Sequence, residues 1–305
     1  MKNYNFMKNS KTAFIIAAVV LVLGVLSMLI RGFNLDIDFA GGTELSISLG
    51  KNVTSELDNI KAIVKDVTGE EASSVAKSGS DANQAIIKTK ELSNEKTDKL
   101  FEALKEKYNL TAETFDSIET VGSTISGDTQ KTAIVSCLVA VALILVYITI
   151  RFQFTSGLSS IACLAFNIFT MLAFYSLLQI PVNSNLIAAC LTILGYSINA
   201  TIVVFDRVRE NNKKFKLAEF DDNANLAVQQ TLARSINTTI TTLLTIGMVY
   251  ILGVDSIKDF ALPIIIGIIA GVFSSVFLGA PLWSKFNKIF KVNAKQNKKE
   301  KTKKA

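Results

Sequence analysis

Long apolar stretches without a single charge set the pattern of this chain. They fall at residues 13–30, 132–150, 157–180, 186–205 and 261–283, and a sixth, 232–252, qualifies once Arg234 is allowed near its entrance. A hydrocarbon core about 30 Å thick is crossed by about 20 helical residues, so each run predicts a transmembrane helix. The first run is longer than the roughly 7–15-residue apolar core of a secretory signal, and SMLIRGF offers no small-residue cleavage pattern, so it reads as a retained span.

Between the first two spans the period changes. LDIDF and ELSISL alternate as strands do, SELDNIKAIVKDV has helical spacing, and AIIKTK is strand-like. NEKTDKLFEALKEKY reads as a helix with Asn94 as its N-cap, and a last strand is expected over 112–120. That order is the split βαβ pattern of a ferredoxin-like domain. The predicted fold class is therefore a polytopic α-helical membrane protein with six transmembrane helices, plus an α+β ferredoxin-like extracytoplasmic domain between helices 1 and 2. The expected divisions are a cytoplasmic N-terminus 1–12, the first span 13–30, the external domain 31–131, a five-helix bundle 132–284 and a basic cytoplasmic tail 285–305.

Composition and charge agree with that picture and orient it. Half of the residues are hydrophobic and the mean hydropathy is +0.38, more apolar than a soluble domain usually is. Lys and Arg gather at the N-terminus, at Arg151, in RVRENNKKFK and in the tail, so the positive-inside bias predicts a multi-pass membrane protein with both termini in the cytoplasm. The long segment 31–131 carries 12 Lys/Arg against 18 Asp/Glu, a net of −6 that leaves +12 elsewhere. The basic tail suits anionic lipid headgroups, or ribosomal and translocon surfaces; membrane anchoring is the plainer reading.

Candidate chemistry is sparse. Cys137, Cys163 and Cys190 fall inside spans and read as small packing residues. Histidine is absent altogether, no glycine-rich phosphate loop precedes a helix, and the external acids sit at helix-surface spacing. No catalytic residue, metal site or cofactor is expected, so the chain is not read as an enzyme. The informative residues are polar ones within spans. Tyr196, Asn199, Val203 and Asp206 share a helix face, and Arg234, Asn237, Thr238, Thr241, Thr242 and Thr245 form a stripe that should face protein or a wet cavity. Two readings of the stripe stand open: hydrogen bonds between helices, or the wall of an ion pathway. Arg234 is either an interfacial snorkeler or a buried charge with a partner.

Three motifs, LDIDFAGGTELSI, GYSINATIVVFDRVREN and LARSINTTITTLL, in this order and spacing resemble the SecF family of protein translocase subunits, within the SecD/SecF group of the resistance-nodulation-division superfamily. The resemblance implies an accessory subunit of Sec protein export that works with SecD, alongside the SecYEG translocon and a YajC-like subunit, on exported unfolded polypeptides. Membrane lipids are implied as surroundings, and nucleic acid is not a partner. It also implies a coupling ion, H⁺ or alternatively Na⁺. Two positions depart from the family pattern. Asp36 stands where similar chains usually have Gly, and Ala200 stands where their intramembrane aspartate is taken to carry protons, while the neighbouring arginine is retained as Arg234.

Ala200 and Asn199 cannot titrate, and no Asp or Glu lies deep in any of the six runs. Asp206 reads as a local charged cap with Arg207 and Arg209 favoured at a helix C-terminus. Three functional readings remain: SecD supplies the carboxylate across a shared interface; this subunit is a proton-inactive scaffold; or the chain is an exporter of small hydrophobic molecules from the same superfamily. Asp38, Gly41 and Gly42 mark the external motif, the glycines forming a hinge or a tight turn. GIIAG at 267–271 is a GxxxG that either brings two helices close or arises by chance, and Pro263 is expected near a helix start.

Overall fold

The computed structural model describes residues 4–50, 52–78, 82–109, 115–214, 220–253 and 255–290. The tail from 291, the expected strand residues 112–114 and the end of RVRENNKKFK lie outside them. Six helices are long and apolar enough to cross a membrane. They are α1 (Ser10–Arg31), α5 (Ser123–Arg151), α6 (Phe154–Leu178), α7 (Asn185–Lys214), α8 (Phe220–Leu252) and a last helix that runs through α9 (Asp255–Phe273), a π-helical turn (Ser274–Gly279) and α10 (Ala280–Ile289). Large apolar side chains such as Ile134, Leu138 and Leu143 on α5 and Leu23 and Leu29 on α1 point outward. In water such faces would be a liability; in a bilayer they meet lipid of the same polarity. This is a multi-pass membrane protein.

Helix α6 is the centre of the bundle. It packs against α1, where Ser27 Oγ lies 3.0 Å from Ser176 Oγ and an added Cβ on Gly24 would sit 2.7 Å from Ala173 Cβ. On its other side it meets α7 and the last helix, and Asn167 of α6 donates to Ser197 of α7 in a fully buried pair. Toward the Asp206 end of α7 the bundle closes over an aromatic cluster of Phe205, Phe220, Phe277 and Trp283, into which Phe6 inserts from the N-terminal segment. The free cysteines Cys163 and Cys190 are buried and Cys137 is half-buried.

Between α1 and α5 lies a small sheet of β1 (Gly42–Ser48), β2 (Ser74–Ser78), β3 (Gln84–Thr89) and β4 (Phe115–Val121), in the order β2-β3-β1-β4 with every neighbour antiparallel. Helices α3 (Leu57–Thr68) and α4 (Asn94–Tyr108) cover one face. Strand alternation sends Leu45, Ile47 and Ile87 to that face, where they pack against Ile60, Val64, Leu100 and Leu104. Glu44 and Lys88 go to the other.

Three local expectations fail for identifiable reasons. LDIDF is not a strand: the Asp36 side chain accepts the Ile37 N–H at 2.8 Å and starts the one-turn helix α2 (Ile37–Ala40), which buries Ile37 and Phe39 together. Only Leu35 keeps a single bridge, to Val182. The N-cap of α4 is Ser93, whose Oγ accepts from Lys96, and Asn94 is already helical. Helices α7 and α8 run on well past their apolar stretches, because a helix satisfies its own backbone wherever it runs and needs lipid only for its apolar part. Helix α9 starts at Asp255, ahead of its apolar run, so Pro263 lies inside it, where its missing N–H forgoes an intrahelical bond.

Candidate functional site: the polar face of α7 and α8

Helix α8 has two polar faces. Thr231, Ser235 and Thr239, one turn apart, are buried against the rest of the bundle, and Thr239 Oγ1 accepts from Tyr196 Oη of α7 at 3.2 Å. Arg234, Asn237, Thr238, Thr241 and Thr245 are exposed, and Thr242 is half-buried. The stripe read from the sequence exists, but it turns away from the chain's own bundle. Of the two open readings, hydrogen bonding to another helix is not realised among the described residues. Each threonine hydroxyl bonds instead to its own helix: Thr238 to the Arg234 carbonyl at 2.9 Å, Thr241 and Thr242 to that of Thr238 at 2.8 and 2.9 Å, and Thr245 to that of Thr241 at 3.0 Å.

Those internal bonds leave the face with only a few unmet groups. Among the described residues Arg234 makes no ion pair, and the side chains of Asn199 and Asn237 have no hydrogen-bond partner. The helices α7 and α8 are antiparallel neighbours tied at Tyr196–Thr239 and again where Arg207 Nε and Asn211 Nδ2 donate to Gln230 Oε1 at 2.6 and 2.9 Å. One turn from the first tie toward the second brings the exposed Asn199 and the half-buried Ala200 level with Arg234 and Ser235. Asn199, Ala200 and Arg234 thus share one depth, with Asn199 and Arg234 exposed and Ala200 half-buried. Chemically the face offers a permanent cation, amides and hydroxyls, and no group that titrates near neutrality.

The charges at the far end of α7 are arranged differently from expectation. Asp206 pairs with Arg151 at the end of α5, at 3.6 Å, and not with its sequence neighbours. Arg207 pairs with Glu210 at 2.6 Å, and Arg209 donates to the Arg151 carbonyl at 3.2 Å. Because α7 continues to Lys214, these arginines lie before its last turn, so the local-cap reading is replaced by a tie between α5 and α7.

At the opposite end the residues of LDIDFAGG form a junction. Asp38 Oδ2 accepts the Ser184 N–H at 2.8 Å, at the entrance to α7. Gly41 has φ +75°, and a Cβ on Gly42 would sit 2.4 Å from the Thr89 carbonyl oxygen, so the second glycine is required by the close approach of β3. Sequence reasoning missed two sets of residues. One is the buried Asn167–Ser197 pair, for which a lone Asn in an apolar span was the available signal. The other is the N-terminal strap, where the Phe6 N–H donates to Asn225 Oδ1 at 2.8 Å, for which there was no signal beyond one aromatic residue before the first span.

Residues 100–289 match the family described as protein export membrane protein SecD/SecF, C-terminal. The chain is 34% identical to a protein translocase subunit SecF of Acidaminococcus fermentans, over 95% of this chain and all of that one. It is 32% identical to a protein translocase subunit SecDF of Bacillus subtilis, over 92% of this chain but 38% of the relative. The crystal structure of SecDF, a translocon-associated membrane protein from Thermus thermophilus, superposes with a TM-score of 0.82 at 32% identity, covering 93% of this chain and 39% of that one.

Proposed function

We infer the function from the family, for this chain belongs to the SecD/SecF protein-export membrane proteins: it is an accessory subunit of Sec protein export that acts with a SecD half to move proteins across the cytoplasmic membrane at the expense of the proton or sodium motive force. The single observation that carries the mechanism is the outward face of α7 and α8. Among the described residues Arg234, Asn199 and Asn237 are exposed there without partners, and an arginine within a span costs on the order of 2.5 to 3.5 kcal/mol on insertion scales. A second helix bundle that packs on this face and brings a carboxylate to Arg234 would remove that cost. The SecDF relatives, of which this chain matches 38 or 39%, have the additional length for such a half.

On this reading the titrating group belongs to SecD. A carboxylate in a desolvated site has its pKa raised by burial and lowered by a neighbouring arginine, which brings it toward ambient pH. Arg234 supplies the second influence; Ala200 supplies none. The sheet and its two helices form an external ferredoxin-like domain, the termini face the cytoplasm, and the SecYEG translocon, a YajC-like subunit and unfolded exported chains are the further partners.

The absence of any carboxylate in the apolar runs favours one alternative, a scaffold that takes no part in ion flow. Export into vesicles reconstituted with this subunit and its SecD partner separates the two. Arg234→Leu should abolish the part of export that depends on the motive force; unchanged export would sink the shared pathway.

A further inference from the structure

We propose that Asp36 is a positioning residue that clamps the external sheet to the α6–α7 connection of the bundle. Both of its oxygens meet Lys88 Nζ of β3, at 2.6 and 2.7 Å, and the same ammonium reaches Glu44 Oε2 of β1 at 3.2 Å. Exposed ion pairs contribute little, but the Asp36 side chain is only 7% exposed and that of Lys88 22%. While its carboxylate holds the sheet, the Asp36 N–H donates to the Val182 carbonyl at 3.1 Å. The same connection is stitched by Val182 N–H to the Asn34 carbonyl at 2.8 Å, by Asn34 Nδ2 to the Gln179 carbonyl at 3.0 Å, and by Asp38 to Ser184. Asp36 thus joins β3, the start of α2 and the loop before α7, the helix that carries Asn199 and Ala200.

The electrostatics fit a clamp with a defined breaking point. Burial pulls the Lys88 ammonium down, but the hydrogen bonds and charges of Asp36 and Glu44 outweigh it and hold it above the ordinary lysine range. Burial pushes Glu44 up, Lys88 opposes this, and Asp36 and Glu119, across β1 from β3, add to the rise. One ammonium therefore serves two carboxylates. Neutralising Asp36 leaves Lys88 to Glu44, a pair internal to the sheet, and weakens one tie between the sheet and the membrane bundle.

The clamp is a matter of geometry; its use in export rests on the function proposed above. The test uses the full chain with its SecD partner in vesicles, read by amide hydrogen exchange and by motive-force-dependent export. Asp36→Asn should speed exchange about tenfold in peptides covering 34–42 and 177–184, leave the β1 core around Leu45 and Ile47 protected, and slow export, with Asp36→Glu recovering both in part. Lys88→Met should release the same peptides from the other side. Unchanged exchange in both variants overturns the clamp. Faster exchange with full export overturns the positioning role, provided that Arg234→Leu still blocks export. Export that survives Arg234→Leu strikes the functional reading instead, and leaves the clamp to be judged by exchange.

Discussion

Replacing Gly267 with alanine should drive α7 and α9 apart. The added methyl would lie 2.2, 2.5 and 3.0 Å from Ile193 Cδ1, Cγ1 and Cγ2, where carbon atoms settle at about 3.5–4.0 Å. Ile193 is 1% exposed and has no free volume to enter, so either the helices separate by about an ångström or Ile193 leaves its rotamer. Overpacking of this kind costs about 1–3 kcal/mol, and the shortest contact puts Gly267 toward the upper end. At about 2–4 °C per kcal/mol for chains of this size, the melting temperature in detergent should fall by roughly 4–10 °C. Gly271, four residues on, is the control. Its added methyl would meet Ser197 Cβ and Oγ at 3.4 Å, ordinary contact, and alanine's better helix propensity makes a neutral or slightly positive shift the expected result. Ile193→Ala removes all three clashing atoms, so combined with Gly267→Ala it should cost less than the sum of the single changes. Additive losses, or equal losses at 267 and 271, would refute the claim that this pair sets the α7–α9 distance. Because α7 carries Asn199 and Ala200 two turns from Ile193, export should fall and recover together with stability.

Two further outcomes bear on the ends and the middle of the bundle. Phe6 is 5% exposed, with its ring 5.5 Å from that of Phe277, so Phe6→Ala should cost about 3 kcal/mol and expose the N-terminal strap to protease; an unchanged melt and cleavage pattern would show that the strap does not brace α8. Ala200→Asp places a titratable carboxylate level with Arg234, and should change how export in vesicles depends on external pH or sodium, whereas identical profiles would mean that α7 does not line the pathway.

Apolar run length made the six spans legible in the sequence, and alternation or helical spacing found β1, β3, α3 and α4, because those patterns are what burial on one face requires. What sequence could not supply was the competition between neighbouring signals. In LDIDF the apolar residues at 37 and 39 satisfy a strand period, yet the Asp36 carboxylate caps a helical turn that still buries both, and one hydrogen bond to a side chain decided between two patterns of equal hydrophobicity. Periodicity sees only one helix and points Asp206 to its sequence neighbours; its partner, Arg151, arrives from another. The GIIAG pair was ambiguous for the same reason, and became informative only when Ile193 was found against Gly267.

The orientation of the polar stripe on α8 decides what it means. Periodicity placed six polar residues on one face but did not say whether that face looks inward. In the structure the inward contacts belong to Ser235 and Thr239, while the stripe looks out. Its threonines would sit in lipid at modest cost, since each hydroxyl is already bonded to a carbonyl of its own helix. Among the described residues Arg234, Asn199 and Asn237 find no such internal solution, and a guanidinium cannot shed its proton to find one. The demand for a partner therefore concentrates on three residues at neighbouring depths, one on α7 and two on the lightly buried α8. Ala200, at the same level, is small enough to let another helix approach closely and cannot itself answer the charge. A partner that fits this face must bring an acid to it, which is why exchanging Arg234 tests the shared pathway and restoring Asp at 200 tests whether the site on this side of it is still wired.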